Sequence, residues 1–147
     1  MLQWDSRFLY LGDQKIGAAD TYVVAFAQLP GEATVKVTLR GHGGTSVRML
    51  TQGIAWVDKK NFHILRMRTD LLARQPEVGL DEQTTEVNFN EVRLPDVAIP
   101  LWLPRDVRVY VKFGKSLGRP YDEAFRNVHH YTNYRRYRVS TKMATPH

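Results

Sequence analysis

Five consecutive residues, Gly114-Lys115-Ser116-Leu117-Gly118, match G-x-S-x-G, the pattern of a nucleophile elbow, and Gly41-His42-Gly43-Gly44 has the composition of an oxyanion loop. An elbow requires a strand turning sharply into a helix, with an acid and then a histidine much later in the chain. Here Pro120 stands two residues past the motif and only 29 residues follow Gly118, so Asp122 and His129 leave no room for the intervening units. Glycine-bearing hairpin loops account for both matches. No catalytic residue is assigned, and the expectation is a protein that is not an enzyme.

His129-His130 raises metal binding. Neighbours on a strand point to opposite faces, so the two imidazoles do not converge on one ion. His63, Asp122 and Glu123 stand at no recognised zinc spacing, and zero Cys means no thiolate ligand, disulfide or cysteine nucleophile. No metal and no cofactor is expected. The carboxylate pairs Asp81-Glu82 and Asp122-Glu123 read as loop residues, since a useful raised pKa needs burial, which sequence does not reveal.

Tyr131-Thr132-Asn133-Tyr134-Arg135-Arg136-Tyr137-Arg138 interleaves rings with cations, the residue types that stack on bases and hold phosphates. On a strand, rings and cations would fall on both faces, so no aromatic platform forms. No RNP-like motif accompanies the run, and nucleic acid is not an expected partner. Residues 1–104 hold 11 Lys/Arg against 12 Asp/Glu, whereas residues 105–147 hold 10 against 3, so the whole net charge of +6 comes from the last third. Arg126, Arg135, Arg136 and Arg138 are the candidate basic patch, either a solvated sheet face or a surface for an anionic partner.

Strands must carry these residues, because the dominant period is two. Val35, Val37 and Leu39 alternate with Lys36, Thr38 and Arg40; Thr85, Val87 and Phe89 with Glu86, Asn88 and Asn90; Val107, Val109, Val111 and Phe113 with Arg108, Tyr110 and Lys112. Tyr22 to Ala27 is apolar on both faces, which suits a strand covered on both sides. Turns are expected at Gly12–Lys15, Leu29–Glu32, Gly41–Gly44, Asp58–Asn61 and Pro76–Gly79, with Pro95, Pro100 and Pro104 bracketing an irregular segment. One helical turn is expected near Pro120–Arg126. Trp56, Phe89, Val107, Val109 and Val111 are the expected core. With 147 residues, 43% apolar and 24% charged, the chain has the size and composition of one globular domain, not of a disordered, collagenous or coiled-coil protein. No run approaches the ~20 apolar residues of a membrane helix, and Met1 to Arg7 does not read as a signal peptide. The fold expected is all-β, a single antiparallel domain over residues 1–147.

Two stretches carry a resemblance. Gly53-Ile54-Ala55-Trp56-Val57-Asp58, a turn, and a strand ending in Arg66-Met67-Arg68 resemble the central hairpin of the bacterial lipoprotein-carrier (outer-membrane lipoprotein-sorting) superfamily. Leu101-Trp102-Leu103-Pro104, Phe125-Arg126-Asn127 and Tyr131 to Tyr137 are similar to the C-terminal end of large uncharacterised secreted bacterial proteins. The resemblance implies a sheet strongly curved into a half-open barrel, whose concave apolar face shelters a lipid, an acyl group or a lipidated protein, in a periplasmic or secreted setting. It leaves open that residues 1–147 are the C-terminal part of a longer precursor. Leu65, Met67, Leu71, Val87 and Phe89 are the candidate lining, with Arg66 and Arg68 on the opposite, solvated face. Self-association would cover the same surface. The other reading is a structural or protein-interaction domain of a cell-envelope protein, using its basic C-terminal strands.

Overall fold

The computed structural model describes residues 6–30, 36–38, 46–115 and 122–137. The alternating stretches form β1 (Ser6–Ile16), β2 (Ala19–Gln28), β3 (Lys36–Thr38), β4 (Ser46–Arg48), β5 (Thr51–Asp58), β6 (Ile64–Leu71), β7 (Leu80–Val92), β8 (Leu101–Phe113) and β9 (Glu123–His130). Seven of them make one antiparallel sheet in the order β1-β2-β5-β6-β7-β8-β9, while β3 and β4 pair as a separate hairpin. The fold is therefore all-β, as the period of two predicts. The sheet stays open, with β1 and β9 as its two edges, the arrangement of a half-open barrel. Register shifts at Tyr10/Gly12, Trp56/Val57, Leu80/Glu82 and Asn88/Phe89 mark bulges, each of which bends its strand and raises the local twist.

Several sequence expectations are corrected. Gly12 lies inside β1, where its φ of 118° serves the bulge rather than a turn; the turn is at Gly17, with φ 58°. Pro104 lies within β8, opposite Phe89 beside a bulge, where a missing ladder donor is tolerated. The expected helical turn is instead, over Glu123–Arg126, the start of β9, because pairing with Val111, Lys112 and Phe113 overrides local propensity. Tyr131–Tyr137 follows β9 and is not a strand, so the two-faced reading of its rings and cations does not apply.

The core is smaller than expected. Buried apolar residues among those described are Phe26, Met49, Ala55, Val78 and Leu80. Met49, Val78 and Leu80 cluster with half-buried Leu71, Val111 and Phe113, where the 3-10 turn Pro76–Val78 folds over one end of the sheet. Trp56, Phe89, Val107, Val109 and Val111 are only half-buried. An alternating strand buries its apolar side chains fully only when a second layer covers them. Here the described elements supply no such layer beyond that one end.

Candidate functional site

Directly opposed residues share a face, so the ladders fix which side chains lie together. One face of β6–β9 carries Arg66, Arg68, Asp70, Glu82, Glu86, Asn88, Asp106, Arg108, Lys112 and His130. They are tied in cross-strand pairs. Arg108 meets Glu86 at 3.0 Å, Lys112 meets Glu82 at 3.7 Å, and Arg66 Nε donates to Asn88 at 2.9 Å. Asp70 accepts from Arg68 at 3.1 Å and from the Thr84 hydroxyl at 2.6 Å. Arg68 is exposed as expected, but Arg66 is half-buried, its guanidinium 5.8 Å from the centre of the Trp56 ring.

The other face is largely apolar in its middle. Val24, Ala55, Met67, Val87 and Val107 stand in one row across β2, β5, β6, β7 and β8. Both ends of this face are closed. At one end sits the Met49–Val78–Leu80 cluster. At the other, Trp102 reaches over β7 to β6, where its Nε1–H donates to the Ile64 carbonyl at 2.6 Å and its ring stacks on His63 at 4.7 Å. Of the candidate lining, Met67 and Val87 are brought directly opposite each other. Leu71 packs instead against the buried cluster, Leu65 is the extra residue of the β5–β6 bulge, and Phe89 stands opposite Pro104 near the Trp102 end. Phe62 and Leu72 lie just outside β6 and are exposed; Phe62 occupies the hairpin turn at φ 59°.

A groove of about 510 Å³ escaped the sequence reading. It lies on the charged side of the sheet but at its apolar N-terminal end. The rows Arg7–Ala27–Gln52 and Leu9–Ala25–Ile54 cross β1, β2 and β5, and small Ala25 and Ala27 form a low floor between longer walls. The signal was present in Tyr22 to Ala27, where two alanines take alternate positions in an otherwise bulky run.

The remaining candidates separate. His130 Nδ1 lies 2.6 Å from Asp106 on the charged face, whereas His129, opposite Val107, stacks on Tyr131. Arg105 first, and then His130, hold the Asp106 carboxyl below the ordinary carboxylate range. Among the described residues no group of three His, Asp or Glu side chains could hold a metal. Arg126 faces Tyr110 in the β8–β9 ladder, while Arg135 and Arg136 lie with Leu94, Val97, Leu101 and Leu103 around a separate groove. Arg136 donates to the Asp96 carbonyl at 3.1 Å, and Arg138 lies outside the described residues. Burial raises the Tyr134 pKa, and its hydroxyl donates to the Pro104 carbonyl, fixing the segment after β9 against β8.

At the far end, Tyr10 donates to Asp13 at 2.6 Å, Lys59 pairs with Asp13 at 2.5 Å, and Trp56 Nε1–H donates to Gln14 at 2.7 Å. This ties the second half of β1 to the β5–β6 hairpin. Lys59 first, then Tyr10, lower the Asp13 pKa. Gly114 is buried and its N–H donates to Gly79 O at 2.9 Å. Ser116 to Gly118 and Gly41 to Gly44 lie outside the described residues. No family model, curated protein or solved structure matches this chain.

Proposed function

We propose that the protein is a non-catalytic binding module that holds an apolar ligand, an acyl chain or the lipid of a lipidated protein, across the middle of its apolar face. The observation that carries this is the Met67–Val87–Val107 row, only half-buried among the described residues while both ends of the same face are closed. A soluble domain rarely leaves a contiguous apolar surface bare. Over β6–β9 the opposite face is charged and already ion-paired with itself. The lipoprotein-carrier resemblance of the 53–68 hairpin agrees with this reading and with a cell-envelope setting.

A fluorescent fatty-acid probe tests it. Binding should respond little to salt, because burial drives it. Met67→Glu should weaken binding at least tenfold, and Arg68→Ala on the opposite face should leave it unchanged. Equal binding by parent and Met67→Glu would overturn the proposal. So would binding that vanishes at about 0.5 M salt, where Debye screening removes surface charge effects; that result would transfer the function to Arg126, Arg135 and Arg136.

A further inference from the structure

β1 is an edge that lacks the usual protections along half its length. Natural edges are blunted by bulges, lysines, prolines or short strands. In β1 the bulge at Leu11–Gly12 and Lys15 fall in the second half, which the Asp13–Lys59 and Gln14–Trp56 contacts also pin down. Ser6–Tyr10 is different. Among the described residues it pairs regularly with Gln28–Val24 on one side only, and it contains neither lysine nor proline. Its apolar side chains stand out on both faces: Phe8 is 55%, Leu9 64% and Tyr10 57% exposed. Apolar residues on both faces suit a strand inside a continuous sheet.

We propose that Ser6–Tyr10 pairs antiparallel with the same segment of a second copy, about a two-fold axis at Phe8. Charge favours a copy of this chain. Residues 6–30 carry Arg7 and Lys15 against Asp13 and Asp20, so two such edges meet without net repulsion, while the cations Arg105, Arg108, Lys112 and Arg126 lie on β8 and β9 at the opposite end of the sheet. In this register Phe8 faces Phe8, and the single charge, Arg7, faces Leu9, which its aliphatic stem covers. A two-fold contact is also closed and self-complementary. At 150–250 Å² for a whole aromatic side chain, Phe8, Leu9 and Tyr10 offer roughly 300 Å² per copy. With Ser6, Arg7 and the strand backbone, two copies reach the ~1,000 Å² at which specific interfaces begin. The grooves beside Arg7 and Leu9 then become continuous across the axis.

The mass in solution and a cysteine scan test this. The chain has zero Cys, so a single introduced thiol reports only its own symmetry mate. Light scattering should show 17.0 kDa rising to twice that value as concentration passes through the micromolar range. Phe8→Cys should oxidise to a covalent dimer, because directly opposed strand positions lie within disulfide reach, and Lys15→Cys should not. Leu9→Lys opposes Arg7 with a second cation and should weaken dimerisation at least tenfold, without lowering the melting temperature of the exposed edge. A monomer at every concentration, growing filaments, or equal cross-linking at positions 8 and 15 would each overturn the proposal.

Discussion

Gly53 is the position where one methyl group should cost most. It lies in β5, opposite Phe26 of β2 and Thr69 of β6. A Cβ added there would stand 2.2 Å from the Arg68 carbonyl oxygen, 3.1 Å from its carbon and 2.8 Å from Cζ of Phe26. The missing side chain is what lets the Phe26 ring lie down on the sheet, and it explains why Phe26 is among the few buried apolar residues. Elsewhere, Gly→Ala in an extended strand stabilises by about 0.4–1 kcal/mol through the unfolded chain. Here that gain is outweighed. The ring can swing out at the loss of its burial, but the Arg68 carbonyl moves only with β6 itself. Overpacking of this kind costs about 1–3 kcal/mol, and the backbone contact puts Gly53→Ala at the upper end. At ~2.1 cal/mol/K of unfolding entropy per residue, a loss of about 2–3 kcal/mol should lower the melting temperature by roughly 6–10 °C. The assay is a thermal melt followed by intrinsic tryptophan fluorescence, with Gly114→Ala as control. There the added Cβ meets Asp81 Oδ2 at 2.5 Å, the free end of a side chain that can rotate away, so the loss should stay below about 1 kcal/mol. If Gly53→Ala melted at or above the parent temperature, the close approach of β5, β6 and Phe26 would be wrong.

Three further outcomes follow from described contacts. Asp106 titrates below its unfolded value, so its contribution to stability is complete above pH ~4 and is lost as pH falls through the folded value; the gap between the melting temperatures of parent and Asp106→Asn should narrow as the medium is acidified below pH ~4, and a gap that does not change with pH would refute the Arg105–Asp106–His130 contact. Trp102→Phe leaves the Ile64 carbonyl without its donor and should lower the urea-derived stability by about 1–2 kcal/mol; an unchanged midpoint would remove Trp102 from its bridging role. Val109→Asp places a carboxylate at a half-buried site between Thr85 and Asn127, and the protein should still fold, with a loss of about 1–3 kcal/mol; outright unfolding would show that a layer covers this face.

The period of two in Val107, Val109 and Val111 was enough to place β8 and the face on which its valines lie. It could not say how deeply they are buried, because alternation reports which residues face together and not what faces them. Gly12 read as a turn for a related reason. A glycine with positive φ serves a hairpin or a bulge equally well, and only the pairing of Tyr10 and Gly12 with Val24 and Val23 decides. The candidate lining came apart at the bulges. Leu65 and Phe89 fit the alternation of Met67 and Val87, but the extra residues at Leu65 and Arg105 break the regular ladder beside them. The segment after His130 was illegible as a non-strand because its anchors, Pro104 O and Asp96 O, are backbone atoms about 30 and 40 residues away.

The sheet order also governs how cooperatively the molecule holds together. Between backbones, substantial contacts join strands adjacent in the sheet or the 3-10 turn and β7, and side-chain contacts such as Trp102–Ile64 and Lys59–Asp13 are what skip a strand. Energetically this is a one-dimensional array, whose stability is close to a sum of nearest-neighbour couplings rather than the property of a shared interior. Opening then proceeds from the ends inward: β1 and β9 can detach, each breaking one ladder, while β6 and β7 are held on both sides and by the cluster at Leu71 and Leu80. The links are also unequal in the chain distance they span. β2 and β5 are neighbours across the residues that hold the β3–β4 hairpin, so this is the one junction in the sheet whose closure bears the entropy of a long loop. Against that cost stand the Lys59–Asp13 and Trp56–Gln14 contacts, which tie the local β1–β2 hairpin across this junction to the five-strand meander.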